Sequence, residues 1–327
     1  MNSIPFSYEP DCEFYSRMEE CLLDEKVDNI SIITHARPDG DTVGSAYALA
    51  YILLRNGKKA QVVCNDTISD KFDYITELTF PEFTPECAVT VDVAAPELIG
   101  TEIDLPVICA IDHHTRNNVD AKVKFVKSDK GACGEIIFEF AVFTDAEFDE
   151  YLAKCLYTAI ATDTGCFKYE SVTESTFLAA AYLSRYIPRE TAAKLNLRHF
   201  DTKSMGQLKV EKYALENLHM YFGNTLGICT VTDELKEELG VSDEDMECLS
   251  QLARQIDTVE TSVSIKPKGD GVFKISVRTK EYVDAALLCS RFGGGGHKRA
   301  AGCTISGTAQ EAEEKIVNMY RETVIQR

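Results

Sequence analysis

The sequence predicts an α/β protein of two domains: a doubly wound N-terminal domain built on a parallel sheet, then a helical connector and a smaller α+β domain. Two observations predict this class. Short apolar runs of strand length alternate with helical patterns in the first part of the chain, and the alternation ends near Pro188. In addition, the length of 327 residues exceeds that of an average single domain.

The elements of the first domain follow from apolar periodicity and turn residues. A buried strand over residues 29–34 leads into a loop marked by Pro38 and Gly40, and a helix follows over 43–56. Three further strands are predicted over residues 60–64, 88–93 and 107–111. Three further helices are predicted over residues 134–142, 150–161 and 174–186. In doubly wound sheets, ligands bind at the carboxyl ends of the strands.

The rest of the chain has a different pattern, with a long helix over residues 202–220 predicted to connect the domains. The second domain is predicted to contain a strand over 226–231, a helix over 242–256, two strands around the 269–271 turn and a helix over 283–291. We therefore expect a first domain over residues 1–188, a helical connector over 189–222 and a second domain over 223–327.

Charge and cysteine usage exclude several classes of protein. The net charge of −19 disfavours binding of long duplex DNA. The twelve cysteines are scattered without a C-x-x-C pair, which indicates free thiols rather than disulfides or structural zinc. No signal peptide or apolar stretch of membrane-spanning length is evident, so we expect a cytoplasmic protein without a membrane partner.

Three carboxylate and histidine motifs stand at predicted strand ends. The first, HARPDGD, carries His35, Asp39 and Asp41 within seven residues, although an acidic loop with Asp41 or Thr42 as the N-cap of the next helix explains it equally well. The second is Asp92, which ends a strand so apolar that an unpaired charge there is costly.

The third motif is Asp112-His113-His114, in a chain that has only six histidines. We expect one histidine to bind metal, Asp112 to orient a ring, and the other histidine to face the substrate. His199 and His219 lie in the connector and are interpreted as ordinary surface residues.

A fourth carboxylate, Asp163, follows the apolar helix, where a helix-terminal role is equally plausible. With it the motifs supply enough ligands for two divalent cations. Oxygen-rich sets of this kind suit Mn²⁺, Mg²⁺ or Co²⁺, and a pair of such ions suits phosphoester hydrolysis. Asp92 is the predicted bridging ligand. The predicted metal ligands are His35, Asp39, Asp41, Asp92, His113 and Asp163.

The last motif is a run of four glycines followed by His297, Lys298 and Arg299. Backbone N–H groups of glycines can approach an anion closely, so this run predicts a phosphate site, with a flexible hinge as the alternative. Arg278, on the preceding strand, can contact a phosphate with two N–H groups. The surrounding stretch 266–299 holds eight Lys and Arg against three Asp and Glu, which indicates an anion pocket or merely a basic face.

In this order, HARPDGD, TVD, DHH and TDTG resemble the DHH phosphoesterase superfamily, and FKISVRTK with RFGGGGHKRAAG resembles its type 1 DHH-associated domain. The resemblance implies one Mn²⁺ on His35, Asp39 and Asp92, another on Asp41, Asp92, His113 and Asp163, and contact of His114 with the scissile phosphate. It implies that the second domain binds substrate through Arg278, Gly295, Gly296 and His297; Arg299 and Arg116 are further candidates. Lys168 stands where relatives commonly have arginine.

The short two-domain form is similar to the group of bifunctional oligoribonucleases and phosphoadenosine-phosphate phosphatases. It implies hydrolysis of oligonucleotides of about two to five residues to 5′-mononucleotides, and of 3′-phosphoadenosine 5′-phosphate to AMP. The alternative within the superfamily is a cyclic-di-AMP phosphodiesterase, and the alternative outside enzymes is a non-catalytic nucleotide sensor. A homodimer is the expected oligomeric state.

Overall fold

The computed structural model describes residues 10–325, so the outermost parts of the predicted domains, residues 1–9 and 326–327, lie outside the described residues. The chain divides into two compact units, Met1–Thr202 and Lys203–Arg327. No helix in the described part of the chain is long and apolar enough to cross a membrane. The cysteines are free thiols, as predicted.

The first unit contains a parallel five-stranded sheet in the order β2-β1-β3-β4-β5. The direction of winding reverses between β1 and β3, which creates a crevice at their carboxyl ends where ligands of doubly wound folds bind. The α/β class and the parallel sheet are therefore confirmed. The strands are β1 (Ile30–Ile33), β2 (Ala60–Val63), β3 (Cys87–Val91), β4 (Val107–Asp112) and β5 (Val123–Val126).

The two faces of this sheet are covered differently. One face buries the large core shared with the helices, to which β1 contributes Ile30 and Ile32. The other face presents small residues such as Ala88 and Ala110, covered by Val93, Ile99 and Val119 from the connecting segments. The helices of this unit are α1 (Cys12–Leu23), α2 (Gly40–Arg55), α3 (Asp73–Thr76), α4 (Cys133–Phe143), α5 (Glu150–Asp163), α6 (Glu174–Leu183) and α7 (Arg189–Asn196).

The second unit contains a mixed six-stranded sheet in the order β10-β11-β9-β8-β7-β6, in which only β7 and β8 pair in parallel. This confirms the smaller second α+β domain. Its strands are β6 (His219–Tyr221), β7 (Leu226–Thr230), β8 (Thr261–Gly269), β9 (Val272–Thr279), β10 (Gly295–His297) and β11 (Ala300–Ser306). Its helices are α8 (Met205–Glu216), α9 (Asp233–Leu239), α10 (Leu249–Leu252), α11 (Ala285–Ser290) and α12 (Ala309–Tyr320).

Two predicted helices differ from those observed. The helix predicted over 202–220 is α8, which ends at Glu216, and His219 and Met220 instead pair with β7. The segment predicted as one helix over 242–256 contains α10 between two 3₁₀ turns, and Ser242 and Asp245 bond each other's main-chain N–H groups at its start. Of the helices in the predicted connector, residues 189–222, α7 belongs to the first unit and α8 to the second.

Candidate metal centre

The candidate site lies where β1, β3 and β4 end, beside the start of α2 and the end of α5. Because these strands are parallel, their carboxyl ends meet at one edge of the sheet. His35 and Asp39 follow β1, Asp92 follows β3, and His113 follows β4. The fold thus brings motifs that are far apart in sequence to a single edge.

Asp92 lies at the centre of the group. It is buried, and its backbone adopts a left-handed conformation (φ 57°), which turns the chain sharply at the end of β3. Its Oδ2 accepts a hydrogen bond from Thr42 Oγ1 (2.6 Å), whereas its Oδ1 has no hydrogen-bond partner. Burial, and then the charges of Asp41, Asp39 and Asp163, raise the pKa of Asp92 well above its ordinary value. A cation beside this carboxylate would offset the cost of its burial.

The histidine nitrogens facing Asp92 Oδ1 support this interpretation. His113 Nε2 lies 3.6 Å and His114 Nδ1 3.7 Å from that oxygen. These separations are too long for hydrogen bonds. The separation to His113 Nε2 is close to the roughly 3–3.5 Å expected between two atoms that each lie about 2.1 Å from one ion, whereas His114 Nδ1 is engaged by Asp112.

Asp41 is held in place by main-chain donors. It lies in the first turn of α2, and its oxygens accept hydrogen bonds from the N–H groups of Cys133 (2.6 Å) and Gly134 (2.9 Å) at the start of α4. The hydroxyl of Ser45 donates to Asp41 Oδ1 (2.8 Å). Burial is the main reason that the pKa of Asp41 is raised to about 7, with Asp163 and Asp39 adding to it and His113 opposing it.

His35 and Asp39 form one side of the group. His35 Nδ1 donates to the carbonyl of Ala36 (2.8 Å), which directs Nε2 toward Thr42 Oγ1 (2.6 Å) and the carboxylates beyond it. That Nε2 lies 3.9 Å from Asp92 Oδ2. Asp39 Oδ1 accepts from the N–H of Thr42 (3.1 Å), so Asp39 is the N-cap of α2. The alternative of Asp41 or Thr42 as the N-cap is therefore wrong, since α2 begins three residues before the predicted helix.

His113 and Asp163 form the other side. His113 Nδ1 donates to the carbonyl of Lys130 (3.3 Å), which leaves Nε2 facing Asp163 Oδ2 (3.4 Å) and Asp41 Oδ2 (3.8 Å). Asp163 is the last residue of α5. Burial, and then the charge of Asp39, raise the pKa of Asp163 to about 7, against the charge of His114.

Three overlapping groups of possible metal ligands result, and all six predicted metal ligands belong to them. Four carboxylates and two imidazoles are the donors that hard or borderline divalent cations prefer, so the residues fit such ions. Asp92 belongs to two of the groups. The groups are Asp92, His113 and His114; His35, Asp39 and Asp92; and Asp41, His113 and Asp163.

The ring nitrogen of His114 that faces Asp92 is bonded to a second carboxylate, Asp112. Its Nδ1 donates to Asp112 Oδ1 (2.7 Å), while Asn117 Nδ2 donates to Asp112 Oδ2 (2.8 Å). Burial acts to raise the pKa of Asp112, but these bonds outweigh it and leave that pKa lowered. Burial acts to lower the pKa of His114, but Asp112 and the nearby carboxylates raise it overall. Asp112 thus orients a ring that is easily protonated.

The predicted substrate residues of the second unit lie on neighbouring strands. In the sheet register, Arg278 and His297 both pair with Ala300, one from β9 and the other from β10. A side chain at Gly296 would clash with Ala300 O (2.5 Å), whereas the space around Gly295 is open to 4 Å. One N–H of Arg299 donates to the carbonyl of Val283 (3.1 Å).

In the first unit, Arg116 and Lys168 are exposed and lie in irregular segments after β4 and α5. Of the two remaining histidines, His219 is exposed, as expected, and its Nδ1 bonds the carboxylate of Glu313 (2.6 Å). His199 is instead half-buried: its Nε2 is hydrogen-bonded to the hydroxyl of Tyr74 (2.7 Å), and its ring stacks on Phe72. The interpretation of His199 as a surface residue was wrong because these partners are distant in the chain.

Three contributors to the site were missed by sequence reasoning. Thr42 Oγ1 lies 2.6 Å from both Asp92 Oδ2 and His35 Nε2, Asn117 holds Asp112, and the Lys130 carbonyl orients His113. Thr42 adjoins the first motif and could have been suspected from it. A main-chain carbonyl leaves no signal in a sequence.

The chain is a two-domain protein with a candidate metal centre. Its α/β unit has acids and histidines clustered at the ends of parallel strands, and its smaller mixed-sheet unit has a glycine-rich edge strand. Residues 29–160 match the model of the DHH family, N-terminal domain, and residues 227–326 match the DHHA1 domain. The chain belongs to the DHH family, as the motifs predicted.

Individual relatives extend this result. The bifunctional oligoribonuclease and PAP phosphatase NrnA of Thermus thermophilus is 31% identical over 304 residues, which is 90% of this chain and 89% of that protein. The cyclic-di-AMP phosphodiesterase PdeA of Listeria monocytogenes is 23% identical over 318 residues, 89% of this chain and 47% of that protein. The structure of an exopolyphosphatase-related protein from Bacteroides fragilis has a TM-score of 0.82 at 21% identity, with coverage of 95% and 97%, and shares the fold.

Proposed function

We propose that this chain is a phosphoesterase that hydrolyses oligonucleotides of about two to five residues to 5′-mononucleotides and 3′-phosphoadenosine 5′-phosphate to AMP. The observation that carries the proposal is Asp92 Oδ1. This buried carboxylate oxygen has no hydrogen-bond partner and faces two histidine nitrogens at 3.6 and 3.7 Å. Such an arrangement stabilises a chain only when a cation completes it.

Two divalent cations, Mn²⁺ by preference, are assigned to the site. Asp92 would be shared between one set with His35 and Asp39 and another with Asp41, His113 and Asp163. Such ions supply Lewis acidity toward the phosphoryl oxygens and the attacking water. Asp41 can serve as a ligand while it accepts main-chain hydrogen bonds, because a carboxylate has about four lone-pair sites.

The chain's own residues orient the substrate. Asp112 holds the His114 ring by its Nδ1, and this ring is assigned to contact a non-bridging phosphate oxygen of the substrate. The raised pKa of His114 favours its protonated form, which suits contact with an anion. Arg116 is a further candidate contact in the first unit; in the second, Arg278, Gly295, Gly296, His297 and Arg299 are assigned to the substrate's terminal phosphate or base.

The relatives favour short linear substrates. A bifunctional oligoribonuclease and PAP phosphatase is 31% identical over 89% of its length, whereas the cyclic-di-AMP phosphodiesterase matches over 47% of its length at 23% identity. The net charge of −19 also disfavours long polyanions.

A Mn²⁺-dependent chromatographic assay tests the proposal with a linear diribonucleotide, a five-nucleotide RNA, 3′-phosphoadenosine 5′-phosphate and cyclic di-AMP. We expect mononucleotides from the linear RNAs, AMP from the phosphoadenosine phosphate, and no reaction with cyclic di-AMP or after EDTA treatment. Preferential opening of cyclic di-AMP would instead support the second-messenger phosphodiesterase. Binding of all four ligands without any product would indicate a nucleotide sensor.

A further inference from the structure

The segment between β5 and α4 contacts two of the assigned metal ligands at once. The carbonyl of Lys130 accepts a hydrogen bond from His113 Nδ1 (3.3 Å). Three residues later, the N–H groups of Cys133 and Gly134 donate hydrogen bonds to the Asp41 carboxylate. A displacement of this segment would therefore rotate the His113 ring and move the Asp41 carboxylate together.

Two buried carboxylates of α4 hold the segment from its inner side. Glu135 Oε1 accepts from the N–H of Gly131 (3.0 Å) and from Thr176 Oγ1 (2.8 Å). One turn further along the helix, Glu139 forms an ion pair with the Lys130 ammonium, and both side chains are almost fully buried. Removal of one partner from a buried ion pair leaves an uncompensated charge, so the Lys130 side chain would leave its position and take its carbonyl with it.

The ion pair is connected to the N-terminal helix. The hydroxyl of Tyr15, a fully buried residue of α1, donates to Glu139 Oε2. Residues 12–23 lie before the part of the chain that matches the family's N-terminal domain, residues 29–160. Support for the metal centre thus extends beyond the matched domain.

We propose that Tyr15, Glu139 and Lys130 form a positioning chain that sets the geometry of His113 and Asp41 for metal binding. The inference rests on the proposed function. None of the three side chains is assigned to a metal ion or to the substrate. Their effect reaches the site through the Lys130 carbonyl and the main-chain donors beyond it.

Titration of Mn²⁺ into the metal-free protein, followed by electron paramagnetic resonance, measures this directly. We expect Glu139→Gln to weaken Mn²⁺ binding by about 10–100-fold, as removal of outer partners of metal ligands does. Tyr15→Phe, which removes only a hydroxyl, should weaken it by about 2–10-fold. Tyr221→Phe is the matched control, because its hydroxyl also donates to a buried glutamate, Glu313 (2.7 Å), but in the second unit.

Wild-type Mn²⁺ affinity in both Glu139→Gln and Tyr15→Phe, with only the melting temperature lowered, would overturn the positioning chain. A loss no larger than that of Tyr221→Phe would do the same. If Glu139→Gln does not fold, as judged by circular dichroism, Tyr15→Phe decides. A wild-type chain that binds no Mn²⁺ would instead overturn the proposed function, which is a different result from equal binding by all variants.

Discussion

At the scale of single residues, Asp92 shows how a site can oppose stability. Its carboxylate is buried, its backbone is left-handed, one oxygen has no partner, and three other carboxylates raise its pKa. Each of these features costs free energy in the metal-free protein. We attribute their presence to the metal centre and not to folding.

Asp92→Asn should therefore separate stability from function. Without metal, the amide removes the repulsion and can donate to the His113 lone pair, so we expect the melting temperature in EDTA to rise by about 2–4 °C, equivalent to about 1 kcal/mol. Mn²⁺ binding and turnover should be lost. Differential scanning calorimetry and the chromatographic assay measure both, with the exposed Asp120→Asn as control. A lower melting temperature in EDTA would contradict this account.

His199 is a residue whose protonation affects folding. Burial, and then the charges of Arg198 and Lys71, lower its pKa from 6.5 to about 4. The unfolded chain therefore takes up a proton between these values before the folded chain does. The stability that neutral His199 contributes is complete above pH 6.5 and is lost as the pH falls toward 4.

His199→Gln keeps an acceptor for Tyr74 but does not titrate. We expect the urea midpoint of the wild type to fall further than that of the variant between pH 7.5 and pH 5, because other groups titrate equally in both proteins. His219→Gln, at the exposed histidine, is the control. Equal changes in all three proteins would show that His199 is not held neutral by the fold.

At the scale of elements, the crossing of α2 and α5 positions three of the assigned ligands. Asp39 and Asp41 stand at the start of α2, and Asp163 stands at the end of α5. The helices approach closely at Gly44, where an added Cβ would lie 2.4 Å from the carbonyl oxygen of Cys155. Because this oxygen belongs to the backbone of α5, a side chain at Gly44 would push the two helices apart.

Gly44→Ala should thus affect both folding and metal binding. We expect a loss of about 1–3 kcal/mol from overpacking, together with weaker Mn²⁺ binding as the ends of the helices separate. Urea denaturation and Mn²⁺ titration are the measurements. Arg55→Ala, at the exposed end of α2, should change stability by less than about 0.5 kcal/mol. Unchanged Mn²⁺ affinity in a destabilised Gly44→Ala variant would show that the helix crossing does not position the metal ligands.

At the scale of the whole molecule, the two units have separate hydrophobic cores, and the assigned metal ligands all belong to the first. A ligand that binds only the folded state stabilises the unit that holds it. Metal should therefore act on one unfolding transition and not on the other.

Calorimetry with and without Mn²⁺ tests this. At a concentration 100 times the dissociation constant, we expect the first unit to gain about 2.7 kcal/mol and to melt about 5–10 °C higher. The transition of the second unit should stay within about 1 °C. An equal shift of both transitions would show that metal binds elsewhere or that the units unfold together.

The sequence alone was sufficient for the α/β class, the parallel sheet, the smaller second α+β domain and the family. Strand and turn signals are local, and the motifs follow the strands directly, so parallel order alone implied that His35, Asp92 and His113 lie at one edge. The periodicity of 242–256 did not reveal its breaks. That of 202–220 hid β6, a short strand that pairs antiparallel with the next strand, β7.

The tertiary structure decided what depends on partners far apart in the chain. It placed Thr42 between His35 and Asp92, packed the half-buried His199 against Tyr74, and left Asp92 Oδ1 without a hydrogen-bond partner. None of these follows from composition or spacing, because burial and hydrogen bonding are set by distant packing. The sequence therefore determined which residues could bind metal, and only the fold determined how they are held.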